Sequence, residues 1–378
     1  MHILYVSDCY KSSSIYDSQV HSLCMEHAKY NKVTLMVLCN YLDWDIPNYA
    51  NVDYEFHKYY KLPKAMIPLL NNMTSKLLPC RNLIINADII HCKGLIGTAL
   101  ALNLLKKYKV TRPVIADIRG DVVDELLNSR NIVNKFLAKS AKRLEKYVFQ
   151  NAIFFFFVSE YMKQLYSDRY NLNDSNVAVF PTVVNSKYFY SDRSISEKIR
   201  EDLNICKDDI VFTYSGGLDY WQNVDMLLES FARALKKQKN IFLLLLTKRK
   251  ITMQSKMKNY DIDRNKYLIV SSNYWDVGKY LNAADVGLLI RDKTITNLVA
   301  CPIKLNEYLA CGLDVITTIL YYDDVTNLIL VDFDVEALTQ KMVSYRKRKG
   351  IKNKFIRSNV DKVVKGQMGK FLYVINHI

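Results

Sequence analysis

The chain has 378 residues and a mass of 44.0 kDa, and its 53 Lys and Arg against 38 Asp and Glu give a formal net charge of +15. This length suits two or three domains. Half of the residues are hydrophobic and 24% are charged, as in folded soluble chains, which excludes disordered, collagen-like and disulfide-scaffold proteins.

The sequence contains no apolar stretch of the roughly 20 residues that a membrane-spanning helix needs. Its first residues are typical of a strand and lack the features of a signal peptide. The eight cysteines show neither a Cys-x-x-Cys pair nor zinc-ligand spacing. We therefore expect a cytosolic protein without structural zinc.

Apolar runs alternate with helical patterns in both halves of the chain, which indicates two α/β units with parallel sheets. The first half predicts strands at 3–6, 33–38, 89–92, 114–118 and 153–158. Its predicted helices cover 18–30, 96–107, 132–150 and 160–170. Four consecutive phenylalanines, Phe154–Phe157, predict a strand buried on both faces.

A polar stretch, 186–209, predicts a linker with a short helix before the second half begins. Strands are then predicted at 210–214, 241–247, 267–270, 286–290 and 314–317, and helices at 223–236, 275–282, 303–310 and 335–348. We predict an N-terminal domain over 1–186, a C-terminal domain over 187–355 and a last segment, 356–378, that returns to the first domain. Neither a Gly-x-Gly-x-x-Gly fingerprint nor a phosphate loop is present, which weakens dehydrogenase and P-loop ATPase interpretations.

Two basic stretches could explain the sequence pI near 9.2. The first, 54–81, mixes Lys58, Lys61 and Lys64 with aromatic and aliphatic residues, which suits either an anionic inner-leaflet surface or an ordinary solvated face. The second, 135–146, places five basic residues beside apolar ones at helical spacing. It could suit the same kind of surface, but it favours a helix whose apolar side packs inward. No nucleic-acid signature appears, so no nucleic-acid partner is expected.

The stretch from 287 to 316 carries the strongest chemical pattern, which predicts a strand, a loop, a short helix, a glycine stop and another strand. Pro302 suits the first turn of the helix and Gly312 its C-terminal side. Free amides at the helix start, next to Lys304, predict a phosphate site. Glu307 lies about one turn further on, where it could accept both hydroxyls of a ribose or be an ordinary helix carboxylate.

This stretch resembles the C-terminal domain of bacterial family-4 GT-B glycosyltransferases, which read Arg…Asn…Ala-x-Pro-x-Lys…Glu-Tyr-Leu-Ala-x-Gly-x-x-Val-Ile. Other landmarks are similar in order and spacing: 18–23, 87–91, 117–120, 158–160, 179–185 and the glycine loop at 214–222. The resemblance implies a GT-B fold, with two Rossmann-like domains facing across a cleft. It also implies a retaining hexosyltransferase that moves a sugar from a nucleotide-sugar donor to a saccharide or lipid-linked saccharide in bacterial surface polysaccharide assembly. We expect such an enzyme in the cytoplasm, at the inner face of the inner membrane.

The resemblance also implies roles for individual residues. Donor contacts are expected from Gly216, Gly217, Arg291, Pro302, Lys304 and Glu307. Catalytic contacts are expected from Asp117, Arg119 and His91, and acceptor-side contacts from Asp8, Tyr10 and Glu125. A turn network at Asp117 and Arg119, a core histidine at His91 and a simple turn at Asp8 and Tyr10 are the alternatives. No cofactor and no required metal are expected, because the aspartate pairs at 261/263 and 332/334 lie away from the predicted cleft.

The sequence departs from the family at four positions. Val299 stands where many members carry a first Glu, and Gly217 and Gln222 stand where many carry Arg and Lys, so Arg291 and Lys304 would supply the positive charge. Asp314 replaces a usual proline and predicts only a turn difference. The departures leave a non-catalytic partner subunit as one rival; a nucleotide-sugar epimerase is another, although its acid and base residues cannot be placed here.

Overall fold

The computed structural model describes residues 1–7, 19–20, 22–39, 55–60, 80–129, 131–182, 184–322, 325–347 and 373. They form two compact units. The first contains the described residues up to 182 together with 298–301, and the second contains the remaining described residues up to 347. The last segment, 356–378, lies outside the described residues except for Tyr373, and the predicted domain boundaries stay predictions.

The first unit contains a seven-stranded parallel sheet in the order β3-β2-β1-β4-β5-β6-β7. Its strands are β1 (His2–Ser7), β2 (Lys32–Cys39), β3 (Glu55–Tyr60), β4 (Ile89–Lys93), β5 (Val114–Ile118), β6 (Phe154–Phe157) and β7 (Val177–Val179). Its helices are α1 (Ser22–Ala28), α2 (Arg81–Asn86), α3 (Gly94–Tyr108), α4 (Val122–Leu127), α5 (Ile132–Asn151) and α6 (Glu160–Tyr170).

The phenylalanine strand β6 shows why this sheet is buried on both sides. Phe155 and Phe157 belong to one apolar cluster, while Phe154 and Phe156 belong to another. Successive side chains of a strand point to opposite faces, so both faces of the sheet are covered. The prediction of a doubly buried strand is confirmed.

The second unit contains a six-stranded parallel sheet in the order β10-β9-β8-β11-β12-β13. Its strands are β8 (Ile210–Ser215), β9 (Ile241–Leu246), β10 (Tyr267–Val270), β11 (Val286–Leu289), β12 (Asp314–Thr317) and β13 (Leu328–Leu330). Its helices are α7 (Arg193–Asp202), α8 (Val224–Lys237), α9 (Lys250–Met257), α10 (Tyr274–Asn282), α11 (Ile295–Leu298), α12 (Ile303–Ala310) and α13 (Val335–Ser344).

All ten predicted strands are present, and the α/β class with two parallel sheets is confirmed. Strand β3 falls within the stretch 54–81, in which side chains are described only for Cys80 and Arg81. Asp314 begins β12, as the predicted strand 314–317 requires, and its buried carboxylate accepts a 2.9 Å hydrogen bond from the Tyr345 hydroxyl. No helix within the described ranges is both long and apolar enough to cross a membrane.

Both sheets reverse their strand order next to their first strand. In the first unit the reversal lies between β1 and β4, and in the second between β8 and β11. Open parallel sheets bind ligands at such a point, beyond the carboxyl ends of the strands.

Candidate functional site

In the second unit, three strand ends and one helix bring the predicted donor residues together. Gly216 follows β8, Arg291 follows β11 by two residues, and Thr318 follows β12. Helix α12 contributes Lys304 and Glu307. The site thus lies at the strand-order reversal of this sheet.

Helix α12 is fixed at both ends and along its length. Pro302 is extended (φ −67°, ψ 115°) immediately before the first helical residue. Gly312 has φ +81° at the other end, where a left-handed residue suits glycine and lets Leu313 N–H bond back to the Tyr308 carbonyl at 3.0 Å. A Cβ at Gly287 would come 2.3 Å from the Tyr308 ring, so only glycine in β11 permits this close approach.

Tyr308 also joins the helix to the end of β8. Its hydroxyl accepts a 2.8 Å hydrogen bond from the Ser215 backbone N–H, and both partners are buried. A buried donor left without a partner would cost about 1–3 kcal/mol, so this bond holds α12 in register with the glycine loop. The sequence analysis assigned Tyr308 no role. Its position next to Glu307, with a glycine at position 287 of the preceding strand, could have indicated that its ring packs closely there.

Lys304 directs its amine to the glycine loop. Nζ donates to Gln222 Oε1 at 2.7 Å and lies 4.3 Å from the centroid of the Tyr214 ring. Gly216 has φ +145°, and a Cβ there would be 2.7 Å from Nζ. Burial, followed by repulsion from Arg291, holds the pKa of Lys304 well below its usual value.

Arg291 is buried, with 7% of its surface exposed. Its Nη1 donates to Asn297 Oδ1 at 2.6 Å, and its backbone N–H donates to Thr318 Oγ1 at 2.7 Å. Its Nε is also buried and has no hydrogen-bond partner among the described residues. Burial lowers the pKa of this guanidinium, so its charge is incompletely compensated by the surrounding residues.

Glu307 lies three residues after Lys304 on α12, and only 4% of its surface is exposed. No donor in the described part of the chain hydrogen-bonds its carboxylate. Burial raises its pKa to about 7, while the charge of Lys304 opposes that rise. Two buried basic side chains thus lie near one buried carboxylate. The carboxyl ends of these strands therefore suit an anionic ligand, and the carboxylate can still accept hydrogen bonds from hydroxyl groups.

In the first unit, the residues predicted to be catalytic form a buried cluster. Arg119 Nε lies 2.6 Å from Asp117 Oδ1, and Arg119 Nη1 donates to the Phe180 carbonyl at 3.0 Å. His91 Nε2 lies 3.9 Å from Asp117 Oδ2. Asp117 and His91 are completely buried.

The histidine of this cluster belongs to a stack of rings. His91 lies 4.7 Å from Tyr5, 5.9 Å from Phe156 and 6.1 Å from His27, measured between ring centroids. Burial holds the pKa of His91 well below its usual value, helped by Arg119 and then Lys93, and burial lowers the pKa of His27 to about 3. Both rings are therefore neutral at pH 7, and a general-base role for His91 would need a substrate to change its surroundings.

The other predicted residues occupy several surroundings. A Cβ at Gly120 would come 2.8 Å from Glu125 Oε1, which places that carboxylate over the loop after β5. The Gly217 carbonyl accepts a 2.5 Å bond from the Tyr214 hydroxyl. Val299 is fully buried in an apolar cluster of the first unit, and its carbonyl accepts from Ser159 Oγ at 2.8 Å. Asp8 and Tyr10 lie outside the described residues.

A polar network of the first unit escaped sequence reasoning. Glu145 is buried, accepts a 2.5 Å bond from the Tyr170 hydroxyl and lies 3.1 Å from Arg169 Nη1. Arg169 also lies 3.3 Å from Asp121, the N-cap of α4. The network joins α4, α5 and α6 next to the loop that carries Arg119. Within the described ranges, no group of three or more His, Cys, Asp or Glu side chains is placed to hold a metal ion.

Residues 195–322 match the family model described as "Glycosyl transferases group 1". Among solved structures, sucrose-phosphate synthase from Thermosynechococcus elongatus is similar at a TM-score of 0.73 and 15% identity, over 99% of both chains. Anabaena HepE in complex with UDP and glucose is similar at a TM-score of 0.71 and 12% identity, over 99% of both chains. WaaG, a glycosyltransferase involved in lipopolysaccharide biosynthesis, is similar at a TM-score of 0.67 and 12% identity, over 91% of both chains. No curated protein matches significantly.

The chain has the GT-B fold, as predicted. The part of the second unit that matches the group 1 glycosyltransferase model contains Gly216, Arg291, Lys304 and Glu307. At this coarser level, the prediction of a glycosyltransferase is supported.

Proposed function

We propose that the protein is a retaining glycosyltransferase that moves a hexose from a nucleotide-sugar donor to a saccharide, in the assembly of a bacterial surface polysaccharide. The observation that carries the proposal is the buried group at the edge of the second sheet. Lys304 and Arg291 supply two compensating charges for a diphosphate, and Glu307 offers a buried carboxylate to which no described residue donates a hydrogen bond.

The chemistry of transfer explains why such residues are needed. Breaking the bond between sugar and diphosphate leaves negative charge on the leaving group, and buried cations stabilise that charge in the transition state. Gln222 Oε1 now accepts from Lys304, so an incoming phosphate would replace an amide oxygen as the partner of this amine. Glu307 can accept two ribose hydroxyls once it is ionised.

The donor, the acceptor and the place of action are also proposals. HepE has been solved with UDP and with UDP-glucose, so uridine diphosphate is the first donor nucleotide to test. WaaG acts in lipopolysaccharide biosynthesis, which supports a lipid-linked saccharide acceptor and work at the inner leaflet. We propose that Asp117 and Arg119 make catalytic contacts, that Glu125 serves the acceptor side, and that no metal is required.

The first test is thermal unfolding with uridine, guanosine, cytidine and thymidine diphosphates, on the wild type and on Glu307→Ala. A ligand at about a hundred times its Kd stabilises the folded protein by about 2.7 kcal/mol. We expect one nucleotide to raise the Tm of the wild type, and Glu307→Ala to lose most of that rise. Glu229→Ala, which removes an exposed carboxylate from α8, is the matched control and should keep it.

Retention is tested on the product. With the nucleotide identified, its sugar conjugates are incubated with candidate acceptors, and the anomeric proton coupling of donor and product is compared by NMR. The same anomeric configuration in both is expected, and inversion would overturn the proposed stereochemistry.

A non-catalytic partner subunit is the second candidate, and Val299 favours it. This side chain replaces a carboxylate of the family pattern and is fully buried among apolar residues. If no nucleotide changes the Tm of the wild type, this second candidate replaces the first.

A further inference from the structure

The solvent face of helix α5 carries apolar and basic side chains together. Ile132, Phe136, Lys139, Arg143 and Lys146 recur at intervals of four, three, four and three residues, so they line one side of the helix. The opposite side packs on the first unit through Leu137, Ala138, Ala141 and Val148. The predicted inward-packing face is thus present, and Ile132 and Phe136 lie outside it.

The exposed apolar residues cluster at the start of this helix. Phe136 is 77% exposed, Ile132 69% and Val133 52%, and Leu127 at the end of α4 is 51% exposed. Single exposed apolar residues are ordinary, but four large ones within ten residues form a patch. Exposure of this size costs free energy in water, and the cost is removed when another apolar phase covers the patch.

Five basic side chains accompany the patch on α5, and all are exposed: Lys135, Lys139, Lys142, Arg143 and Lys146. Among the described residues, none of the five forms an ion pair. The helix contains one acid, Glu145, which is buried and held by Arg169 and Tyr170. The solvent face of α5 thus has five positive charges and no negative one.

We propose that this solvent face of α5 docks on an anionic lipid bilayer. Ile132 and Phe136 would enter the boundary between headgroups and acyl chains, while the five cations lie among anionic headgroups. The helix is 20 residues long, about 30 Å, and its apolar and basic side chains lie along the same side. Unpaired positive charge beside exposed apolar side chains is complementary to the negative surface and apolar interior of such a membrane.

This inference deepens the inner-leaflet location proposed above by naming the surface, and its test is separate from activity. Full-length protein is sedimented with phosphatidylcholine vesicles, with and without phosphatidylglycerol. Each lysine near an anionic surface contributes about fivefold, so Lys135→Gln/Lys139→Gln/Lys142→Gln should lower the partition coefficient about a hundredfold. Ile132→Ser/Phe136→Ser should lower it about tenfold or more.

Matched controls remove the same groups elsewhere. Lys236→Gln/Lys237→Gln/Lys239→Gln deletes three exposed lysines of the second unit, and Ile251→Ser/Phe333→Ser deletes two exposed apolar side chains there. The proposal requires both controls to bind anionic vesicles as the wild type does. Absence of wild-type binding, or equal losses in the controls, overturns it.

Two further measurements distinguish bilayer docking from self-association and from misfolding of a variant. A wild-type dimer that Ile132→Ser/Phe136→Ser converts to a monomer in sedimentation velocity would assign the patch to a second copy and overturn the membrane proposal. Uridine diphosphate stabilisation is measured on every variant. A variant that keeps this stabilisation but loses vesicle binding is folded, so the docking surface and the donor site succeed or fail independently.

Discussion

Replacing Glu307 with Gln should change how the stability of the protein depends on pH. Burial raises the pKa of Glu307 in the folded protein to about 7, against an ordinary value of 4.5 for an exposed carboxyl. Between these values the unfolded chain loses this proton more readily than the folded one. Rising pH therefore favours unfolding across this window, and the loss is complete above pH 7.

The expected magnitude follows from the size of that window. The difference, 7 − 4.5 = 2.5 pKa units, corresponds to about 3 kcal/mol, since one unit is about 1.4 kcal/mol. Gln has nearly the same shape and does not titrate. The free energy of unfolding of Glu307→Gln minus that of the wild type should thus rise by about 3 kcal/mol from pH 4.5 to pH 7 and then level off.

Urea unfolding at a series of pH values measures this difference. Tryptophan fluorescence is the readout, and Trp221 and Trp275 of the second unit contribute to it. Glu229→Gln, which replaces an exposed carboxylate, is the matched control. In a Lys304→Met background the Glu307 carboxyl loses its favourable neighbour, so the rise should be larger and extend above pH 7. A flat or falling difference for Glu307→Gln would refute the reasoning that burial dominates at this carboxyl.

Three further changes test other parts of the structure. Gly216→Ala places a Cβ on a residue with φ +145°, 2.7 Å from the Lys304 amine, and should weaken nucleotide binding at least tenfold in titration calorimetry. Gly217→Ala should weaken binding less, because the nearest atom to its Cβ belongs to the flexible Asp219 carboxylate. Gly278→Ala puts a Cβ 2.0 Å from the Tyr188 carbonyl oxygen and should cost about 3 kcal/mol in urea unfolding, and a loss under about 0.5 kcal/mol would contradict that packing. Burial lowers the pKa of His27 from 6.5 to about 3, so the unfolded chain takes up this proton first as the pH falls below 6.5. His27→Gln should reduce the resulting loss of stability by up to about 5 kcal/mol, and an unchanged acid profile would refute it.

Much of the fold could be predicted because local patterns and packing agree. Apolar runs such as Ile241–Leu246 have no exposed face, which is how a central parallel strand differs from an amphipathic one. Helix α12 was predicted with its observed ends, since a proline and a glycine mark both. Short elements such as α4 and β13 escaped prediction because six or three residues carry too little periodicity.

The sequence by itself determined the two parallel sheets, the position of α12 and the residue types offered to a ligand at its start. Tertiary structure decided which of those side chains are buried, and burial sets their charge. It raised the pKa of Glu307, lowered that of Lys304 and left Arg291 Nε without a partner among the described residues. It also turned Ile132 and Phe136 outward on α5, because a helical pattern gives the spacing of apolar residues but not which of them a neighbouring element covers.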